Sequence, residues 1–228
     1  MNEEFEIIQK EVKTLADKII KLTETDEQLK HLYKGTQIYM SPIQIKPEIM
    51  FLGINPGAGH YKHTNNTPSY KFEPQDKIDY IDGEYKLADD WKYVFNDEKI
   101  NYIDALKYAF KTNCFYFATE NSTDLQKLIR LSTKYLKNEI IESSKKWTKK
   151  MIELVSPKIL ICEGFTAFNY LKGFMGVELK ICEEETIQAG KNCKCARIND
   201  IVVFGFARRM DSTFRDIDIV IDKIDEYL

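Results

Sequence analysis

The sequence is short of the residues that most directly announce chemistry. It has three histidines, His31, His60 and His63, and none forms a ligand spacing with an acidic pair. Its five cysteines, Cys114, Cys162, Cys182, Cys193 and Cys195, are too few and too scattered to staple a chain of 228 residues. A disulfide scaffold is thereby excluded, and an intracellular, reducing setting is expected. Cys193-x-Cys195 lacks the two-residue spacing of a zinc pair and no histidine follows it, so small buried cysteines on strands are expected, with no metal site. Neither G-x-x-x-x-G-K-S/T nor G-x-G-x-x-G occurs, which removes the usual phosphate cradles. No apolar run approaches the length of a membrane span. No apolar stretch follows the acidic start Met1-Asn2-Glu3-Glu4, so neither a membrane partner nor a secretory signal is expected. A formal net charge of −3 argues against broad attraction to nucleic acid and leaves room for a local basic face.

What is present is ordinary for a globular chain: 43% hydrophobic and 30% charged residues, enough for one domain, residues 1–228, with a sizeable core. Phe5, Ile8, Val12, Leu15, Ile19 and Leu22 recur every three or four residues and predict an amphipathic helix within residues 1–32. Breaks at Gly35, Pro42 and Pro47 mark a connector, with a short strand piece over Gln37 to Met40. A first core strand is expected from Glu48 to Gly53. Residues 58–100 show no clear period but hold Tyr61, Tyr70, Phe72, Tyr80, Tyr85, Trp91, Tyr93 and Phe95. So long an aromatic stretch is either a binding loop or lid, or a set of rings packed over the sheet.

A helix is expected over Asn101 to Lys111 and a buried strand over Thr112 to Phe117. Thr123-Asp124-Leu125-Gln126 suggests a capping box opening a helix to about Leu136. A second helix, with Ile141, Trp147, Met151 and Leu154 inward, ends at Pro157. Lys158 to Cys162 predicts a third strand, turning at Glu163-Gly164 into a helix over Phe165 to Leu171. Val177 to Cys182 and Cys193 to Ile198 are expected to pair around Gly190. Ile201 to Phe206 is the last core strand, and Ser212 caps a terminal helix with Ile217, Val220, Ile221 and Ile224 inward. Strands alternating with helices predict an α/β fold, three layers α/β/α, with a mostly parallel central sheet of about four strands.

The most informative stretch is Ile49 to Gly59. A short apolar run stops at Gly53-Ile54-Asn55-Pro56-Gly57, leaving bare backbone and one short amide at the C-terminal end of a strand. In open α/β sheets that end is where ligands bind. Taken alone, Asn-Pro-Gly reads first as a simple turn. His60 and His63 follow it, as ligand-reaching or as solvated loop residues. Arg208-Arg209-Met210 follows the last core strand, and two cations with a flexible apolar side chain suit phosphates and a base stack. A solvated arginine pair is the plainer alternative. Asn55, Asn113 and the Arg208–Met210 tip are all expected at one rim of the sheet.

These segments together resemble the uracil-DNA glycosylase superfamily. Gly53-Ile54-Asn55-Pro56-Gly57 is similar to the first motif of the mismatch-specific and thymine-DNA branch and close to Gly-Met-Asn-Pro-Gly of the single-strand-selective branch. Thr112-Asn113 with Cys114 to Phe117 resembles the second-strand asparagine segment. Pro157 to Ala167 resembles the third strand, turn and helix, and Arg208 to Ser212 occupies the place of the second motif. The match spans about residues 45 to 228.

The resemblance implies metal-independent, cofactor-free hydrolysis of the N-glycosidic bond of uracil or a related damaged base in DNA, by a monomer. Asn55 would hold the attacking water through its amide oxygen, acting by positioning since an amide is no true base. Backbone N–H groups of Gly53, Ile54, Pro56-flanked chain and Gly57 would stabilise charge on the departing base. Asn113, both donor and acceptor, would read the base. Tyr70 or Phe72, or else Tyr61, would stack on it, while Arg208, Arg209, Met210 and Ser212 would hold and prop the DNA after the nucleotide is extruded. The chain departs from the family in lacking a His-Pro-Ser second motif: it reads Gly205-Phe206-Ala207-Arg208-Arg209-Met210-Asp211-Ser212. The mismatch-specific branch also lacks that histidine. No cysteine precedes Cys114, so the iron–sulfur cluster of some branches is not expected. Two other classes fit the same residues: a non-catalytic nucleic-acid or nucleotide-binding protein on this fold, and a hydrolase of small nucleosides with residues 58–100 as its lid.

Overall fold

Short strands of three to six residues supply the framework. In the computed structural model, which describes residues 3–58, 68–97, 100–176, 179–181, 193–208, 220–221 and 224, they form a six-stranded mixed sheet. Its order is Phe110–Asn113, Ile49–Gly53, Ile159–Cys162, Ile201–Phe206, Cys193–Ile198, Leu179–Ile181. Ile49–Gly53, Ile159–Cys162 and Ile201–Phe206 run parallel, while Cys193–Ile198 is antiparallel to both of its neighbours. The sheet therefore has more strands than the expected four, because the ribbon Leu179–Ile181/Cys193–Ile198 joins it instead of standing apart.

The chain groups into two compact units, each assembled from three segments: residues 1–39, 54–73 and 113–151 in one, and 40–53, 74–112 and 152–228 in the other. In the second unit every other residue of the strands faces one core: Ile49, Phe51, Ile159, Ile161, Val202, Phe204, Phe206, Cys193 and Cys195. Against that face lies the helix Lys86–Phe95 with Leu87, Ala88, Trp91, Val94 and Phe95 buried. Trp91 meets Phe51 at 5.0 Å and Phe206 at 5.7 Å between ring centres, both edge-on, the arrangement the ring quadrupoles favour. Val220, Ile221 and Ile224 complete this face. On the opposite face the helix Phe165–Met175 sits so closely that Gly205 has no room for a side chain: a Cβ there would lie 2.7–2.9 Å from Phe168.

The first unit is built on the helix Glu3–Thr23, whose stripe Phe5, Ile8, Val12, Leu15 and Ile19 is buried as its period requires. A small sheet has the order Ser69–Lys71, Gly35–Gln37, Phe117–Ala118, with the first pair parallel and the second antiparallel. Trp147 of the helix Lys134–Val155 stacks on Tyr116 at 5.7 Å, and its indole N–H donates to Glu11 Oε2 at 2.7 Å.

Several boundaries differ from expectation. The strand expected over Thr112 to Phe117 is two, Phe110–Asn113 and Phe117–Ala118, which pair into different sheets. The preceding helix is only Ile103–Lys107. The strand piece expected at Gln37 to Met40 is Gly35–Gln37. The cap of the Ser122–Leu131 helix is Asn121, whose Oδ1 accepts from the Asp124 N–H at 2.9 Å, and Ser132 in extended conformation ends the helix well before Leu136. In the following helix Trp147 and Met151 are buried as expected, while at the two ends of the stripe Ile140 and Val155 are buried and Ile141 and Leu154 only half so. Within residues 58–100, Tyr80, Trp91 and Phe95 are packing rings, as the second of the two readings held. Cys114, Cys162, Cys193 and Cys195 are buried; Cys182 and the expected cap at Ser212 lie outside the described residues. Among the described residues no helix is long and apolar enough to cross a membrane.

Candidate functional site

The turn after Ile49–Gly53 is clamped to the segment after Phe110–Asn113. Ile54 C=O accepts from the Phe115 N–H at 2.9 Å, Pro56 C=O accepts from the Thr119 N–H at 3.3 Å, and Gly57 bridges to Thr119. Within this clamp Asn55 is half-buried, and its Nδ2 faces three acceptors: Pro56 O at 3.0 Å, Thr119 Oγ1 at 2.9 Å and Phe117 O at 3.3 Å. Two of these are carbonyls, which only accept, so the atom facing them must be the nitrogen. Oδ1 is then turned the other way, with no protein donor bound to it among the described residues. Two residues along the chain, a Cβ on exposed Gly57 would meet nothing within 4 Å.

The structure thus brings Ile54, Asn55, Pro56 and Gly57 together with the chain that follows Asn113, while Gly53 ends the strand Ile49–Gly53. Asn113 itself is 2% exposed. Tyr70, on the outer strand of the small sheet, pairs at 5.3 Å with Phe72 just beyond that strand. Tyr70 is in register with Thr36, and Thr36 with Phe117, which places Tyr70 two strands from the segment that holds Asn55. Its hydroxyl donates to Asp17 Oδ1 at 2.6 Å, and burial together with that carboxylate pushes the phenol pKa upward. Tyr61, Arg209, Met210 and Ser212, with His60 and His63, lie outside the described residues.

The second unit holds a charged cluster that the sequence reading passed over. Lys111 lies in the strand Phe110–Asn113 with its side chain 5% exposed, and its Nζ is 3.1 Å from Asp79 Oδ1 and 3.4 Å from Glu163 Oε1. It also sits 3.8 Å above the centre of the Tyr80 ring, a cation–π contact. The Tyr85 hydroxyl donates to Asp79 Oδ2 at 2.7 Å. Glu163 directly follows the strand Ile159–Cys162, and its buried Oε1 makes no hydrogen bond. Burial pushes Glu163 up to about 8, against the pull of Arg208 and with the push of Asp79. Burial lowers Lys111 to about 8, with Asp79 opposing. At neutral pH the cluster is therefore one matched pair, Lys111 with Asp79, beside a protonated Glu163, which spares the unit an uncompensated buried charge. Arg208 is exposed at the end of Ile201–Phe206, beside Gly164, where a Cβ would come 3.2 Å from its own. A lysine inside an apolar strand and a glutamate ending one were the legible signals of this cluster.

Among the described residues no group of three or more His, Cys, Asp or Glu could hold a metal ion. No family model and no curated protein sequence matches the chain.

Proposed function

We propose that the protein is a uracil-DNA glycosylase-like hydrolase that cleaves the N-glycosidic bond of uracil or a related deaminated base in DNA without a metal or cofactor. The observation that carries this reading is the fixed amide of Asn55: its nitrogen is held by Pro56, Phe117 and Thr119, and its oxygen is left to accept a hydrogen bond from water. An amide so placed orients a nucleophile without deprotonating it, and orientation alone supplies a large share of a hydrolytic barrier. The turn lies at the C-terminal end of a central strand, where ligands of open α/β sheets bind. Arg208 would contact a DNA phosphate and Asn113 the base.

The test is release of uracil from U·G duplex and single-stranded oligonucleotides, read by alkaline cleavage. Wild type should release the base, and Asn55→Ala should be slower by about a hundredfold, the scale seen when one pre-set polar group is removed from a reaction centre. Equal rates would take Asn55 out of the mechanism. The burial of Asn113 favours a second reading, a binding protein on the same fold; tight binding of uracil-containing or abasic DNA with no base release would select it.

A further inference from the structure

The acceptors around Asn55 do more than hold it. Pro56 O, Phe117 O and Thr119 Oγ1 all present lone pairs to a single atom, at 3.0, 3.3 and 2.9 Å. Thr119 is 0% exposed, and its own hydroxyl proton is committed to Asn121 O at 2.7 Å, so toward Asn55 its oxygen can only accept. We infer that this three-acceptor frame specifies an amide at position 55 and excludes an ionised carboxylate, with Thr119, the one side chain in the frame, as a positioning residue that tightens the hold of the two carbonyls on the amide. The inference rests on the hydrolase reading for its kinetic consequences only.

The chemistry is direct. An amide nitrogen has two protons to place among the three acceptors. A carboxylate in the same pose would set a negative oxygen against two carbonyls that have no proton to offer. Thr119 could turn its proton toward it only by giving up Asn121. An aspartate at this position would therefore keep its proton well above the usual carboxylate range, as happens when surrounding groups bond only the neutral form. Once protonated, its O–H could donate to the frame as the amide does. The fixed orientation of Asn55 is thus not convertible into a general base by the single change to aspartate.

Three variants test this. In nitrogen-labelled protein the two Asn55 side-chain amide protons, assigned by their loss in Asn55→Ala, should exchange slowly with solvent in wild type and in Thr119→Ser. In Thr119→Val they should exchange faster than in wild type, since only the two carbonyls still hold them. In single-turnover excision, Thr119→Val should be slower by roughly tenfold, on the scale where a small loss of transition-state fixation gives a factor of ten. Its affinity for uracil-containing oligonucleotide should stay within about twofold, since ground-state contacts are untouched. Thr119→Ser should keep most of the wild-type rate. Asn55→Asp should be inactive at pH 8 and gain activity as pH falls. Wild-type exchange in Thr119→Val, or an Asn55→Asp whose rate rises with pH, overturns the inference. Should Thr119→Val fail to fold, the other two variants decide. If wild type releases no base while the amide exchange follows the pattern above, the hydrolase reading fails and the frame stands.

Discussion

Lys111 carries an ammonium into its unit's interior, where Asp79, Glu163 and the Tyr80 ring meet it. Removing one partner of a buried pair leaves the other charged and unpaired, which costs more than the pair itself contributes. Lys111→Met should therefore destabilise by about 3 kcal/mol in urea unfolding, and adding Asp79→Asn should restore a large part. Glu163 gives a pH signature. Its pKa is about 8 in the folded protein against an ordinary carboxyl value of 4.5, so between these limits the folded state holds a proton that the unfolded chain releases. Stability due to this group is whole below pH 4.5 and declines as pH rises toward 8. Lys111 has the reverse sign over a higher window: lowered to about 8 from 10.5, it makes stability recover as pH climbs between those values. Glu163→Gln should flatten the lower limb of a stability–pH curve and leave the upper one.

At the scale of elements, close approach and capping decide what the local sequence can tolerate. The helix Phe165–Met175 lies on Ile201–Phe206 at Gly205, where an added methyl would strike the Phe168 ring at 2.7 Å. Gly205→Ala should cost about 1–3 kcal/mol, the range for overpacking a filled interior, with the loss visible in thermal unfolding. Asn121→Ala removes the cap of Ser122–Leu131 and should cost about 1 kcal/mol. Helix Lys86–Phe95 shows how an element can be legible and still be passed over. Leu87, Ala88, Trp91, Val94 and Phe95 keep helical spacing, but the aromatic residues before them, through Tyr85, have none and mask it. Asn113 was placed in a strand correctly. The strand's continuation to Phe117 was not, because an apolar run carries no mark of where it leaves one sheet for another.

For the molecule as a whole, the net charge of −3 sets how DNA would be met. With Arg208 and Arg209 as the phosphate contacts, the logarithm of the binding constant should fall with the logarithm of salt at a slope of about −2, and Arg208→Ala should reduce that slope by about 1. A slope near zero in wild type would remove both arginines from the interface. The sequence alone determined the α/β class, the parallel strands at Ile49–Gly53, Ile159–Cys162 and Ile201–Phe206, the buried thiols and the Gly53–Gly57 turn. Those features follow from composition and period along a few neighbouring residues. Tertiary structure decided the direction of the Asn55 amide, set by acceptors up to 64 positions away, and the meeting of Lys111 with Asp79, 32 positions away. A side chain's orientation and the protonation of a buried group depend on which atoms surround them in space, and separation along the chain does not encode that.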